Sequence, residues 1–215
     1  MKTLKINFLV YFCGEEFACM ATKAERTKQF ILETAAPLFN QKGISGVNID
    51  DVLAATKLTK GCLYGHFDSK EDLSLQVVDF MLRSIFEKMM AAASRGKTAK
   101  AKVFAYLDFY KDPFNTHISG GCPIFNTAVE SDDNFPAIRE MIADVLRRGQ
   151  QAFVAVLKQG IEDGEFTDEL DPGVYAFKAT AAIEGGVVMC RSMNTAKPMY
   201  GLIKSLKNEL ENYAA

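Results

Sequence analysis

The chain has 215 residues, of which 48% are hydrophobic and 24% are charged, and its formal net charge is -2 at pH 7. This length and apolar content exclude a disordered polypeptide and provide for one domain with a full core or for two small ones. The balance of charge excludes a protein that is basic all over, so any contact with nucleic acid must be local.

Cysteine and histidine are too few and too scattered for a metal site or a disulfide framework. The five cysteines form an odd set without a C-x-x-C pair, which is typical of a reducing compartment. The only histidines are His66 and His117. No stretch is long and apolar enough to span a bilayer. We therefore predict a cytoplasmic protein without a metal, another cofactor or a membrane partner.

Residues 1–21 form an N-terminal extension whose origin stays open. Lys2 and Lys5 precede a short apolar run, as in a secretory signal, but this run is far shorter than a membrane span. The other interpretations are an ordered apolar extension, or a start codon assigned too early with Met20 as the real start.

The helical pattern begins at Thr22, which can cap a helix with Glu25 as its capping-box partner three residues later. Pro37 lies inside this helix and removes one backbone hydrogen bond, and Gly43 ends it. The apolar residues predicted to share one face of the helix are Phe30, Ile31, Leu38 and Phe39.

Two short helices follow, separated by a tight Lys-Leu turn. Asn48 caps the sequence IDDVLAAT, which is about two turns long. Thr59 then caps TKGCLYGHF, another helix of about two turns, which buries Leu63 and Phe67. Together with the longer helix in front, which can pack across them, these two segments predict a helix-turn-helix unit.

Gly61 and Gly65 lie one turn apart in the second short helix. A glycine inside a helix costs about 1 kcal/mol relative to alanine. Two of them in so short a helix indicate that its backbone approaches another surface closely, either a DNA strand or a packed part of the protein itself.

The remainder of the chain is also predicted to be helical, with no alternating strand pattern and no glycine-rich phosphate-binding motif. A fourth helix begins near Lys70, and Asp171 followed by Pro172 marks a later helix start. The helical segments are 70–94, 98–111, 124–131, 135–162, 172–191 and about 197–213. The predicted fold class is all-α.

The segment NIDDVLAATKLTKGCLYGHFDSKEDL resembles the DNA-binding signature of the TetR family of one-component repressors, including the Tyr-x-His-Phe ending and the following Ser-Lys-Glu. The resemblance covers about residues 25–85. It implies a helix-turn-helix DNA-binding domain at residues 22–69 and a larger helical domain at 70–215 for effector binding and dimerisation. The implied function is that of a non-enzymatic, ligand-responsive repressor, which binds a palindromic double-stranded DNA operator as a homodimer and is released by a small molecule.

The resemblance also implies a set of DNA contacts. The start of the second short helix would face base edges and phosphates, while Tyr64, His66 and Lys70 would reach the DNA backbone. Asn48 stands where the family often has threonine, and Cys62 departs from the expected small hydroxyl residue or alanine. The predicted DNA-binding residues are Asn48, Thr59, Lys60, Gly61, Cys62, Tyr64, His66 and Lys70.

Each of these side chains also has a purely structural interpretation. Tyr64 could be a core aromatic, as Phe67 is expected to be, and His66 could cap the helix. Cys62 is either an inert small residue or a redox-active thiol on the DNA face.

An effector pocket is predicted where aromatic residues cluster around the irregular GGCP loop, because ligand pockets are mostly apolar with few polar groups. The candidates are Phe86, Met89, Tyr106, Phe109, Tyr110, Phe114, His117, Cys122 and Phe125. The resemblance further implies that the last two long helices of each subunit pair into a four-helix interface. The sequence EGGVVMC, whose small residues let helices approach closely, and the apolar stripe at 199–213 would supply that surface, or would pack only within the chain.

Two other functions stay open on the sequence alone. Cys122 and His117 are five residues apart and could act as the thiol and base of a cysteine-dependent enzyme, although no orienting acid is evident nearby. The protein could also be a helical small-molecule carrier whose helix-turn-helix no longer functions.

Overall fold

The computed structural model describes residues 22–215, so the N-terminal extension lies outside the described residues. The described residues contain nine α-helices and no named strand, which confirms the all-α prediction. The helices are α1 (Lys23–Gly46), α2 (Ile49–Thr56), α3 (Lys60–Tyr64), α4 (Lys70–Ala93), α5 (Ala99–Phe109), α6 (Pro123–Asn134), α7 (Pro136–Glu162), α8 (Pro172–Ser192) and α9 (Lys197–Glu211).

Helix α1 starts with the predicted capping box. The Thr22 side chain accepts a hydrogen bond from the Glu25 backbone N–H at 3.2 Å, and the Glu25 carboxylate accepts one from the Thr22 N–H at 2.7 Å. Gly43 has a φ of 79°, so regular helix stops there and a short helical turn continues to Gly46. Phe30, predicted on the apolar face, is instead 45% exposed, because the buried stripe lies on its neighbours Ile31 and Leu32.

The two short helices begin at the predicted caps, but the second is shorter than expected. Asn48 and Asp51 form a full capping box at the start of α2, and Thr59 accepts from the Cys62 N–H at 3.2 Å in α3. The prediction of two turns for α3 is wrong: it has five residues, because the Gly65 N–H bonds back to the Gly61 and Cys62 carbonyls and tightens the chain into a turn.

Proline determines the starts of several later helices. Pro123, Pro136 and Pro172 each occupy the first turn of their helix, where a missing N–H leaves no hydrogen bond unmade. Helix α6 continues to Asn134, three residues further than predicted. The other boundaries agree with the sequence prediction to within a few residues.

Two apolar cores are connected by α4. The first core contains Leu63 and Phe67 of the helix-turn-helix region together with most of the buried face of α4, up to Ile85. It also includes residues from α6, α7 and the loop before α6, namely Ile118, Cys122, Ile124, Ile138 and Ile142. The second core joins α5, α7, α8 and α9 and receives Met89 from the end of α4. The division at residues 69 and 70 therefore stays a prediction, since the first core extends across it.

Candidate DNA-binding and effector sites

Helix α3 presents one face to the core and the other to solvent. Leu63 is fully buried, whereas Lys60, Gly61 and Tyr64 are exposed. At 41% exposure, Tyr64 is not a core aromatic, while Phe67 is one at 2%. A β-carbon added to Gly61 would meet no atom within 4 Å, so packing inside the chain does not require this glycine.

The other predicted DNA-binding residues lie at the start of α2, within α3 and just after it, and at the start of α4. The Asn48 side-chain oxygen is used as a cap, accepting from the Asp51 N–H at 2.8 Å, and the residue is exposed. Cys62 and His66 are half-buried. Lys70, also half-buried, is the first residue of α4, at the end of a helix that favours an anion, although the Ser69 side chain already accepts from the Asp72 N–H there.

The lysines of this region differ in what they contact. Lys42 forms an ion pair with Asp51, with 2.7 Å between Nζ and Oδ1, and this pairing helps to lower the pKa of Asp51. Lys60 Nζ lies 5.9 Å from the centre of the Tyr64 ring, which places both residues on the same exposed face. Lys60 and Tyr64 are therefore available to an external partner, whereas Lys42 is engaged within the chain.

A cavity of about 210 Å³ lies between α4, α5, α8 and the loop before α6. Its apolar walls include Ile85, Phe109, Tyr110, Pro123 and Val187, and its polar side is formed by the loop. Four of the nine predicted pocket residues line it: Phe109, Tyr110, His117 and Cys122.

The other five predicted pocket residues lie elsewhere. Phe86, Met89 and Tyr106 pack in or against the second core and do not line this cavity. Phe114 and Phe125 are exposed, at 44% and 37%, because the loop and the first turn of α6 direct them outward. The aromatic cluster expected from the sequence is thus divided between a cavity wall, a core and the surface.

His117 connects the cavity loop to α4. Its Nε2 lies 2.7 Å from the Ser84 hydroxyl oxygen, so one hydrogen bond joins the two elements. Partial desolvation, and secondarily the positive charge of Lys88, lower the pKa of His117, which favours a neutral imidazole. Ser84 was not predicted, and a single serine on a helix gives no signal for such a contact.

The thiol of Cys122 donates to Glu184 Oε1 at 3.1 Å. Both residues are buried, and this burial raises the pKa of the thiol well above its ordinary value and also raises that of the carboxyl. Within residues 22–215 the other Glu184 oxygen, Oε2, has no hydrogen-bond partner. Glu184 is not among the predicted site residues, although a charged residue within the apolar run AAIEGGVV signals a buried carboxyl.

This environment does not suit a cysteine nucleophile. Cys122 bonds to Glu184 and His117 bonds to Ser84, so the thiol and the imidazole are each held by a different partner. A thiol with a raised pKa is protonated at neutral pH and reacts poorly. The geometry expected of a thiol and its base is therefore not formed.

A second depression, of about 310 Å³, lies between α5 and α9. Its charged side chains contact one another: Lys207 Nζ is 2.7 Å from Asp108 Oδ2 and 5.0 Å from the Phe104 ring centre. Because these groups already have partners, the depression is a weaker candidate site than the apolar cavity.

Helix α8 exposes large apolar side chains on its outer face. Val174, Phe177 and Met189 are 62%, 69% and 61% exposed. Gly185 lies on the same helix, and a β-carbon there would meet no atom within 4 Å. Apolar surface of this kind is typical of a contact with another protein surface.

Among residues 22–215, no helix combines the length and the apolar character needed to cross a membrane. Within the same range, no group of three or more His, Cys, Asp or Glu side chains is arranged to hold a metal ion.

The two short helices, their tight turn and the exposed face of α3 define a helix-turn-helix protein of the DNA-binding class. A family model described as bacterial regulatory proteins of the tetR family matches residues 31–77. A second model, described as the tetracyclin repressor-like C-terminal domain, matches residues 99–206. The chain belongs to the TetR family of transcriptional regulators.

Individual relatives agree with this assignment along most of the chain. The crystal structure of a TetR transcriptional regulator from Chloroflexus aurantiacus J-10-FL is 33% identical, with a TM-score of 0.85, covering 89% of this chain and 98% of that one. A TetR-family regulator from Cytophaga hutchinsonii is 30% identical, with a TM-score of 0.81 and coverages of 91% and 98%. The HTH-type transcriptional repressor DhaR of Mycobacterium sp. strain GP1 is 22% identical over 80% of this chain and 86% of its own length.

The protein is therefore a DNA-binding transcriptional regulator, and its family is one of regulators rather than enzymes. The interpretation as a carrier with a non-functional helix-turn-helix has no support from these relatives. The predicted DNA-binding and effector-binding residues stay predictions.

Proposed function

We propose that this protein is a cytoplasmic repressor that binds a near-palindromic operator as a homodimer and leaves it when a small apolar molecule binds. The observation that carries the proposal is the exposed face of α3, where Lys60 and Tyr64 lie beside a glycine that packing does not require. A helix backbone that is bare at this position can approach DNA closely.

Dimer formation is supported by the apolar outer face of α8. One short recognition helix reads few base pairs, and two-fold symmetry doubles the number that are read. The exposed Val174, Phe177 and Met189 give a second copy an apolar surface to cover.

Effector binding is supported by the cavity beside α4. Its volume of about 210 Å³ suits a small apolar or amphipathic molecule, and His117 offers one polar contact. Because this histidine is also bonded to Ser84 of α4, a molecule that displaces it can move the helix that leads back to the DNA-binding unit.

The test is a fluorescence anisotropy titration of DNA from upstream of the protein's own gene, at several salt concentrations. A repressor of this kind binds that fragment more tightly than unrelated DNA, and its affinity decreases as salt increases. Equal affinity for both fragments at every salt concentration would contradict the proposal.

A further inference from the structure

The C-terminal half of α1 is tied to the loop that forms one side of the cavity. Asn40 is a buried polar residue, 4% exposed, on the core-facing side of α1. Its Nδ2 lies 3.2, 3.1 and 3.2 Å from the carbonyl oxygens of Ile118, Ser119 and Gly121, and its two hydrogens are shared among these three acceptors. A single side chain of the DNA-binding region thus contacts three carbonyl oxygens of the loop.

The loop backbone lies directly against α1 at this point. Gly120 has a φ of 125°, and a β-carbon there would lie 2.8 Å from the Asn40 carbonyl oxygen. Only glycine provides both the conformation and the space. The next residues, Gly121 and Cys122, line the cavity, so the tied segment and the cavity wall are continuous.

Helix α6 completes the connection from its first turn. Asn126 Nδ2 lies 3.0 Å from Asn40 Oδ1, 3.1 Å from the Asn40 carbonyl oxygen and 3.0 Å from the Gly120 carbonyl oxygen, and its two hydrogens are shared among these acceptors. The two asparagines therefore form one network, in which Asn126 fixes the orientation of the Asn40 amide.

One turn further along α6, Glu130 holds the segment that leads into α2. Its two carboxylate oxygens accept hydrogen bonds from the backbone N–H groups of Ile44 and Ser45, at 2.6 and 2.7 Å. These N–H groups follow the break at Gly43, where helical hydrogen bonding is interrupted. Bonds from charged acceptors to backbone N–H groups are among the stronger hydrogen bonds in proteins.

We propose that Asn40, Asn126 and Glu130 form a polar clamp that couples the cavity loop to the DNA-binding helices. The inference rests on the proposed function and adds a path by which effector binding in the cavity changes the position of the DNA-binding helices. A molecule that pushes the loop at Gly121 and Cys122 strains the hydrogen bonds from Asn40, and the displacement of α6 pulls, through Glu130, on the segment that leads into α2. This route is separate from the contact between His117 and Ser84 on α4.

Coupling between sites is reciprocal, so operator DNA must act on the loop as the effector acts on the DNA-binding helices. This makes the clamp testable with DNA alone. The probe is the upstream DNA fragment, and the readout is hydrogen–deuterium exchange of the amides at residues 116–122 in the full chain. We expect the fragment to slow this exchange about fivefold or more, which is the lower end of usual coupling between sites.

Asn126→Ala should remove most of this effect, so that exchange in the loop becomes nearly independent of DNA while the fragment still binds. Glu130→Gln retains one carboxamide oxygen as an acceptor and should reduce the effect in part. It also serves as the second variant if Asn126→Ala does not fold. Asn134→Ala is the matched surface control, because this exposed residue of α6 bonds only to a carbonyl of its own helix, and it should behave like the wild type.

Ser84→Ala separates the two routes, because it removes the bond to His117 and leaves the clamp intact. Retention of the full DNA effect in Asn126→Ala, or in Glu130→Gln if Asn126→Ala does not fold, would overturn the clamp, whether or not Ser84→Ala loses the effect. DNA binding without any change of loop exchange in the wild type would overturn it as well, leaving the proposed function in place. Failure of the wild type to prefer the fragment would overturn both.

Discussion

Lys60 and Lys70 occupy the first positions of α3 and α4, and we expect them to contribute to DNA binding in different ways. Lys70→Ala should weaken binding to the operator and to unrelated DNA by the same factor and reduce the salt slope by about one, because we predict that Lys70 contacts phosphate and no base. Lys60→Ala should lower affinity for the operator more than for unrelated DNA, since it stands on the exposed face of α3. Anisotropy titrations over a range of salt concentrations measure both effects.

Lys158→Ala is the control for both substitutions, as this lysine is an exposed residue of α7 outside the helix-turn-helix. It should leave affinity and salt slope unchanged. If Lys60→Ala and Lys70→Ala also left them unchanged, the recognition helix would have been placed wrongly.

Glu184 gives the stability of the protein a dependence on pH. Burial raises the pKa of its carboxyl above the ordinary value near 4.5. Between these two pKa values the folded state holds a proton that the unfolded state has lost, so the contribution to stability is complete below about pH 4.5 and is lost as pH rises through the folded pKa. A difference of one pKa unit is worth about 1.4 kcal/mol.

Glu184→Gln removes this titration while keeping the shape of the side chain. We expect the variant to lose less stability than the wild type between pH 5 and pH 8, and to be the more stable protein at the higher pH. Urea unfolding at the two pH values measures the difference, and other titrating groups cancel because both proteins contain them. An equal loss in both proteins would show that the carboxyl is ionised without penalty in the folded state.

Short-range residue patterns were readable from the sequence, whereas long-range polar contacts were not. The capping boxes at Thr22 and Asn48 involve residues three apart, so both partners appear in one short stretch. Asn40 bonds to residues 78 to 81 positions away, which no local pattern can indicate. Its one visible signal is its position in the buried series Leu32, Ala36, Asn40, where a polar residue replaces an apolar one.

At the scale of the element, Gly61 lowers the stability of helix α3 but leaves its exposed face without a side chain at this position. Because a β-carbon there meets no atom of the chain within 4 Å, Gly61→Ala should stabilise the fold by up to about 1 kcal/mol. The same β-carbon would lie between the helix backbone and DNA, so operator affinity should fall. Thermal unfolding and anisotropy titration together test the two opposite effects.

Gly65→Ala provides the comparison, since its β-carbon would lie 3.3 Å from the Cys62 carbonyl oxygen, inside the chain. We expect no stabilisation from this change. A Gly61→Ala variant with unchanged operator affinity would contradict the close approach of α3 to DNA.

The length of α3 shows why element boundaries were harder to predict than element types. The sequence TKGCLYGHF keeps a helical apolar spacing through Leu63 and Phe67, and both are buried as expected. Beyond α3, the Phe67 N–H bonds to the Leu63 carbonyl at 3.2 Å, so the turn keeps Phe67 near the position that a longer helix would give it. Apolar spacing alone does not distinguish a short helix followed by a turn from one longer helix.

At the scale of the whole molecule, the exposed outer face of α8 carries the prediction of a dimer. Phe177→Glu should convert the dimer to a monomer, because each interface would bury an unpaired carboxylate. Sedimentation velocity at micromolar concentration measures the change. Phe30→Glu, an exposed aromatic on α1, is the control and should remain dimeric. A wild type that sediments as a monomer would contradict the proposed assembly.

The placement of the effector cavity depended on tertiary packing that the sequence could not supply. The cavity forms where Ile85, Val187 and the loop before α6 meet, and these come from three separate parts of the chain. Composition identified the loop and its aromatic neighbours. Phe109 and Tyr110 line the cavity, whereas Phe114 and Phe125 face solvent. Composition could not distinguish these two pairs, because their positions depend on how the loop folds.

The shared first core limits how freely this regulator can exchange parts with its relatives. A chimaera that grafted residues 22–93 onto a foreign sensor would leave behind the residues of α6, α7 and the preceding loop that complete the core, including Ile124, Ile138 and Ile142. The transplanted residues 22–93 would then expose an apolar surface that α6, α7 and the loop normally cover, and the chimaera would fold poorly or aggregate. A working chimaera therefore requires that the facing residues of the foreign sensor be redesigned to pack against residues 22–93, as α6, α7 and the loop do here.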